Sequence, residues 1–295
     1  MAQSALECAN RALYKMGSVV VTAIDGTDTS KEALAMQANI DLVKKALLRD
    51  YPWNFAVKRK VITPPASFAV SNVTWVSSTL VEVTHASVTY ALGSYVTLAG
   101  VVGATLANGT FEVQTATVGG VTTRITVPLA TTSALLGTYV ADTGDLIRQS
   151  PAYEYSYLYT LPTDCLRVIT VNDEVVSDEW RIEGGSILTD DDTSIEIRYV
   201  KDVTDYTTMD VAFYECLAVY LAWELCDHIT GDDAKKRALY TDLHGGDGKP
   251  GLLPKAKFID AAEDSIARVQ GDDWLSARFG GAGGYEPVSV TTEAL

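Results

Sequence analysis

MDVAFYECLAVYLAWELCDHITG, residues Met209–Gly231, decides the fold. Apolar residues occupy nearly every side of this stretch, and Asp210 stands where an acidic N-cap would accept the first free amides. A helix apolar all round belongs inside a core. Glu215, Glu224 and Asp227 interrupt the apolar run Val211–Ile229, which marks a core helix rather than a membrane span. Immediately upstream lie YSYLYTLPTDCLRVITV (Tyr155–Val171) and RIEGGSILTDDDTSIEIRYVKDVTDY (Arg181–Tyr206). Their alternation predicts strands at 156–159, 166–171, 180–183, 186–188 and 195–200. Gly184-Gly185 is the expected hairpin turn, because glycine tolerates the positive φ such turns need.

Outward from that core, Ala2–Met16 predicts a helix with Leu6, Ala9, Leu13 and Met16 on one face, ending at Gly17. A second helix is expected from about Ser30 to Asp50. Its stripe is Ala33, Met36, Ile40, Val43 and Leu47, and Pro52 stops it. After the long apolar helix, 232–240 reads as helical, GGDGKP (Gly245–Pro250) breaks it, and Ile259, Ala262, Ile266 and Val269 mark a last helix. Between Ala66 and Leu146 the composition changes: there is no lysine and one arginine, Arg124. VTWVSSTLVEV, YVTLAGV, GTFEVQTATV and TTRITVPL, separated by Gly and Asn turns, predict a compact all-β module. The expected fold class is therefore α+β: a four-helix bundle, a small antiparallel sheet and an inserted barrel-like module. The expected units are a discontinuous domain (1–64 and 147–270), the insertion (65–146) and a flexible arm (271–295) with GGAGG at Gly280–Gly284.

At 295 residues, 47% hydrophobic and 21% charged, the composition is that of a globular chain. A net charge of −15 argues against wrapping nucleic acid, where cations must neutralise phosphates. Cys8, Cys165, Cys216 and Cys226 are scattered and read as reduced, buried thiols. The N-terminus lacks the apolar core of a signal peptide, and no membrane role is expected. Glu224 and His228 lie one helical turn apart but lack a third ligand. Asp190–Asp192, and Asp242 with Asp247, lack the spacing of a calcium loop. No nucleophile elbow or phosphate loop is visible, so the expectation is no enzyme, no cofactor and no metal.

The three runs around Tyr155–Gly231, together with LLRDYPWNFAVKRKVI (Leu47–Ile62), resemble the head-to-tail adaptor family of tailed bacteriophages, called tail tubular protein A in short-tailed phages. The likeness covers about 2–62 and 150–231, and more loosely 232–269. It implies a virion structural protein, assembled in the host cytoplasm, that forms a ring of twelve copies between the portal protein and the tail nozzle protein. The genome passes through its lumen during ejection without sequence-specific binding. Trp53 and Phe55 would be junction anchors between helices and sheet. Two features depart from that pattern. HASVTYALGSYVTLAGVVGATLANGTFEV (His85–Val113) is similar to a small β-barrel of several phage proteins, itself similar to a half-domain of ubiquitin-activating enzymes. The glycine break at 245–251 interrupts what the resemblance makes one long helix.

Two sets of aromatics are candidate interface residues. Tyr153, Tyr155, Tyr157 and Tyr159 alternate as if on one strand face, suited to packing or to an inter-subunit or nozzle contact. Trp274, Phe279 and Tyr285, with Arg278 among them, sit in the glycine-rich arm and would anchor it in a groove of the portal. The alternatives are a neck or stopper protein of a long-tailed phage, or a tail module whose insertion binds a host or carbohydrate through Trp75 and Tyr90.

Overall fold

The computed structural model describes residues 3–86, 88–118, 122–141, 146–175, 179–246 and 248–263. Two capped helices open the chain. Helix α1 (Ala5–Met16) begins where Ser4 Oγ accepts from the Glu7 amide at 3.1 Å. Helix α2 (Lys31–Asp50) begins where Ser30 Oγ accepts from the Ala33 amide at 3.3 Å. The whole α2 stripe named above is buried. Strand β1 (Val57–Ile62) follows, then the strands of a barrel: β2 (Phe68–Trp75), β3 (Leu80–His85), β4 (Tyr95–Ala99), β5 (Gly109–Val118), β6 (Thr122–Thr126), a one-turn α3 (Ser133–Leu136) and β7 (Leu146–Ser150). The barrel closes in the order β2-β3-β6-β5-β4-β7 around Val73, Val81, Val83, Val96, Leu98, Ile125 and Ile147. Closure leaves no sheet edge to blunt, which suits a module without lysine. Its last strand runs past residue 146, where the composition changes.

Strands β8 (Tyr157–Thr160), β9 (Cys165–Val171), β10 (Trp180–Glu183), β11 (Ser186–Thr189) and β12 (Ile195–Lys201) form two antiparallel sheets with β1, ordered β1-β12-β9 and β10-β11-β8. Tyr159, Ile187, Ile195, Ile197 and Tyr199 pack between them. At the β10–β11 hairpin Gly184 and Gly185 have φ of 55° and 80°, and a Cβ on either would meet nothing within 4 Å. Gly185→Ala is therefore expected to cost about 1–2 kcal/mol through backbone strain alone. A denaturant midpoint matching the wild type would refute that.

The last helices are α4 (Val211–Ile229), α5 (Asp233–His244) and α6 (Leu252–Glu263). Asp210 caps α4, accepting from the Ala212 and Phe213 amides at 2.7 and 3.2 Å. Between α5 and α6 the chain makes a tight hairpin pairing Gly245 with Pro250 and Gly246 with Lys249. A Cβ at Gly245, where φ is 94°, would lie 2.4 Å from the Lys249 carbonyl oxygen, so only glycine fits. The last helix begins at Leu252, and Ile259 is exposed on it; Ile266 and Val269 lie outside the described residues.

The expected α+β architecture built on a four-helix bundle is corrected here. Among the described residues there are six helices, a closed six-stranded barrel and two three-stranded sheets; 36% is helix and 30% strand, so the β layers are no appendage to a bundle. The physical reason lies in α4. In a four-helix bundle each helix buries one stripe, whereas α4 buries Phe213, Leu217, Val219, Leu221, Leu225 and Cys226, which point in all directions. It takes the centre and packs against α1, α2, α5 and α6. The surrounding helices are tied to one another and to α4 by polar contacts. Lys235 Nζ donates to the Met16 carbonyl at 2.7 Å, linking α5 to α1, and Lys257 pairs with Asp50 at 2.6 Å, linking α6 to α2. Arg11 pairs with Glu215, and Lys31 reaches the His228 carbonyl.

Candidate functional site

Trp53 joins helices to sheets. It is fully buried, its Nε1–H donates to the Leu47 carbonyl at 3.1 Å, and its ring meets Tyr51 and Phe213 edge-on with centroids 5.0 Å apart. Phe55 packs on the same Phe213 ring. Pro52 and the short 3₁₀ turn at Asn54–Ala56 redirect the chain from α2 into β1. Asn54 fastens this corner to α6: its amide donates to Asp260 Oδ1 at 3.0 Å and its Nδ2 to the Asp260 carbonyl at 2.7 Å.

The four alternating tyrosines do not share a strand face. Glu154 adopts φ of 72° and the Tyr155 amide donates back to the Tyr153 carbonyl, so the chain bends before β8 begins at Tyr157. Tyr153 is 80% exposed, Tyr155 and Tyr157 are half-buried, and Tyr159 is buried between the sheets. The Tyr159 hydroxyl reaches the Asp191 and Thr193 carbonyls at 2.8 and 2.6 Å, and burial, then the nearby Asp191 charge, pushes its pKa up to about 12. Tyr157 has a different role. Arg148, on the barrel's closing strand, lies 4.0 Å over its ring and donates to its hydroxyl at 3.1 Å, clasping barrel to sheet.

Other candidates prove structural in their contacts. Asp190 accepts from the Ser156 amide, and Asp191 accepts from the Thr193 amide and hydroxyl, which holds its carboxyl below the usual range. Tyr90 is buried in the barrel core, while Trp75 keeps one side open and donates to the Ala130 carbonyl at 3.0 Å. Glu224 and His228 are both exposed, and no group of three or more metal-type side chains converges among the described residues. Cys8, Cys216 and Cys226 are buried and all four thiols are free; burial pushes Cys8 up to about 12 and Cys216 up to about 11. Trp274, Arg278, Phe279 and Tyr285, like Asp247, lie outside the described residues.

The structure adds surfaces that the sequence reading passed over. On α2 the outward positions Leu34, Ala38, Leu42 and Ala46, each four residues apart, leave an apolar strip facing solvent. On α6 Phe258 (76% exposed), Ile259 and Ala262 make a second patch. The spacing of Leu34 and Leu42 was visible, but the inward stripe of α2 already satisfied the core, so its outer one drew no attention. Buried Lys44 was missed as well; it pairs with Asp41 at 3.0 Å and Asp202 at 3.3 Å.

No helix among the described residues is long and apolar enough to cross a membrane. No protein-family model matches the chain, and no curated protein matches it.

Proposed function

We propose that the chain is a head-to-tail adaptor of a tailed bacteriophage, a structural ring subunit of the virion between portal and tail nozzle, and not an enzyme. The observation that carries this reading is the pair of solvent-facing apolar patches on two different helices, Leu34–Ala46 of α2 and Phe258–Ala262 of α6. A ring requires a heterologous contact, in which one patch of each subunit meets a different patch of its neighbour. Isolated exposed leucines are ordinary, but aligned strips on helix faces mark association surfaces. The sequence resemblance supplies the rest: twelve copies, a portal above, a nozzle below and the genome in the lumen. The acidic net charge suits a conduit that does not hold the nucleic acid. In this reading the arm after Gly271 docks on the portal through Trp274, Phe279 and Tyr285, with Arg278 steering the approach. The bundle of helices meets its neighbours, and the sheet end, with Tyr153 most exposed, meets the nozzle.

The test is mass measurement of the purified chain with and without the portal of the same particle. The expected result is a monomer alone and a ring on the portal, since like charge opposes association of free subunits. Truncation after Gly271 should abolish portal binding with unchanged thermal melting. A stable closed ring of the isolated chain at low salt, or a full chain that ignores the portal, would sink the proposal. Normal portal binding by the truncated chain would move the docking surface from the arm to the helical body.

A further inference from the structure

Strand β1 reads VKRKVI, three cations in six residues of a strongly acidic chain, and it is the edge strand of its sheet. Basic residues on an edge strand discourage unwanted pairing, and that would explain Lys58 and Lys60. It does not explain Arg198, which lies on the central strand β12 directly opposite Arg59. Like charges in register across two strands are destabilising. Neither arginine side chain has a hydrogen bond or ion pair among the described residues, and Arg198 Nε is buried with no partner. Lys58, by contrast, pairs with Asp164 at 3.0 Å. A buried donor left unsatisfied is a cost that native proteins rarely retain without a role. The two arginines open onto a groove of about 430 Å³, rimmed by Val61, which is 57% exposed.

We propose that this edge is a docking site for an acidic, extended segment of a partner protein, which adds as a strand beside β1 and seats one carboxylate between Arg59 and Arg198. The free edge supplies backbone donors and acceptors, Val61 an apolar contact for an alternate side chain, and the paired guanidinia a planar fork for the carboxylate. A nucleic-acid backbone fits less well. A phosphodiester backbone has no peptide groups to continue the β1 ladder, whereas a peptide strand does, and Asp173 and Glu196 in the same groove leave room for a single carboxylate between the arginines rather than a run of negative charges. The inference stands independently of the adaptor reading.

The experiment titrates the full-length protein with a short labelled peptide alternating valine and glutamate, beside its glutamine counterpart, inorganic phosphate and single-stranded DNA. The glutamate peptide is expected to bind in a salt-sensitive manner, at least about tenfold tighter than the glutamine peptide. Arg198→Gln and Arg59→Gln should each remove that preference. Because a substitution can disturb the sheet, the wild-type Arg198 Nε–H signal is followed by NMR and is expected to shift on adding the glutamate peptide. Equal binding of both peptides, no binding, an unmoved Nε–H signal, or binding of phosphate or DNA alone would each overturn the proposal.

Discussion

Trp53→Ala lowers the unfolding free energy by about 3–5 kcal/mol, the range for truncating a fully buried large aromatic. That is a large fraction of the roughly 5–15 kcal/mol typical of a folded domain. The size follows from what the ring does. It fills the corner where α2 ends, closes edge-on against Tyr51 and Phe213, and donates its Nε1–H to the Leu47 carbonyl near the end of α2. Alanine leaves a cavity next to the central helix and removes a buried hydrogen bond together. Trp53→Phe keeps most of the ring packing and loses the hydrogen bond, so its cost should be clearly smaller. Chemical denaturation followed by circular dichroism reads both. A Trp53→Ala loss below about 1 kcal/mol would show that the corner is not part of the cooperative core.

On the proposed adaptor reading, the double change Leu34→Glu and Leu42→Glu is expected to prevent ring formation on the portal without lowering the melting temperature. Both side chains are at least half exposed in the single chain, so folding owes them little. In a ring each buried leucine would contribute about 1.5–3 kcal/mol to its contact. Losing two, with glutamates added to an already acidic surface, weakens each subunit contact by more than about a hundredfold. Mass measurement of the chain mixed with portal decides it, with a melting curve as the folding control. A normal ring from the double variant would mean that neighbouring subunits meet elsewhere, with the α6 patch and the barrel the next surfaces to change.

Local physics made the element boundaries legible. Asp210 caps α4 as expected and the two-glycine turn at Gly184-Gly185 has positive φ at both positions, whereas the first helix starts at Ala5, capped by Ser4, and not at the expected Ala2. The inward stripes of α1 and α2 follow from a period of 3.6, and the short barrel strands from a period of two. The candidate site was less legible. The tyrosines at 153, 155, 157 and 159 have perfect strand spacing, yet positive φ at Glu154 bends the chain, and alternation alone carries no information about that. The portal-anchoring residues expected in the arm lie outside the described residues.

Sequence by itself determined the approximate span of the first, second and central helices, the Asp210 cap, the Gly184-Gly185 turn and the burial of α4, because each depends on neighbours within a few residues. Tertiary structure decided what those elements surround. An apolar helix announces that it will be buried but not how many partners bury it, so a four-helix bundle and a central helix ringed by four others begin from the same pattern. The pairing of β1 with β12 joins residues more than a hundred positions apart. Nothing local in VKRKVI or IEIRYVK says that Arg59 will face Arg198. Register across distant strands is set by which face the whole sheet must bury, and that is known only when the chain has folded.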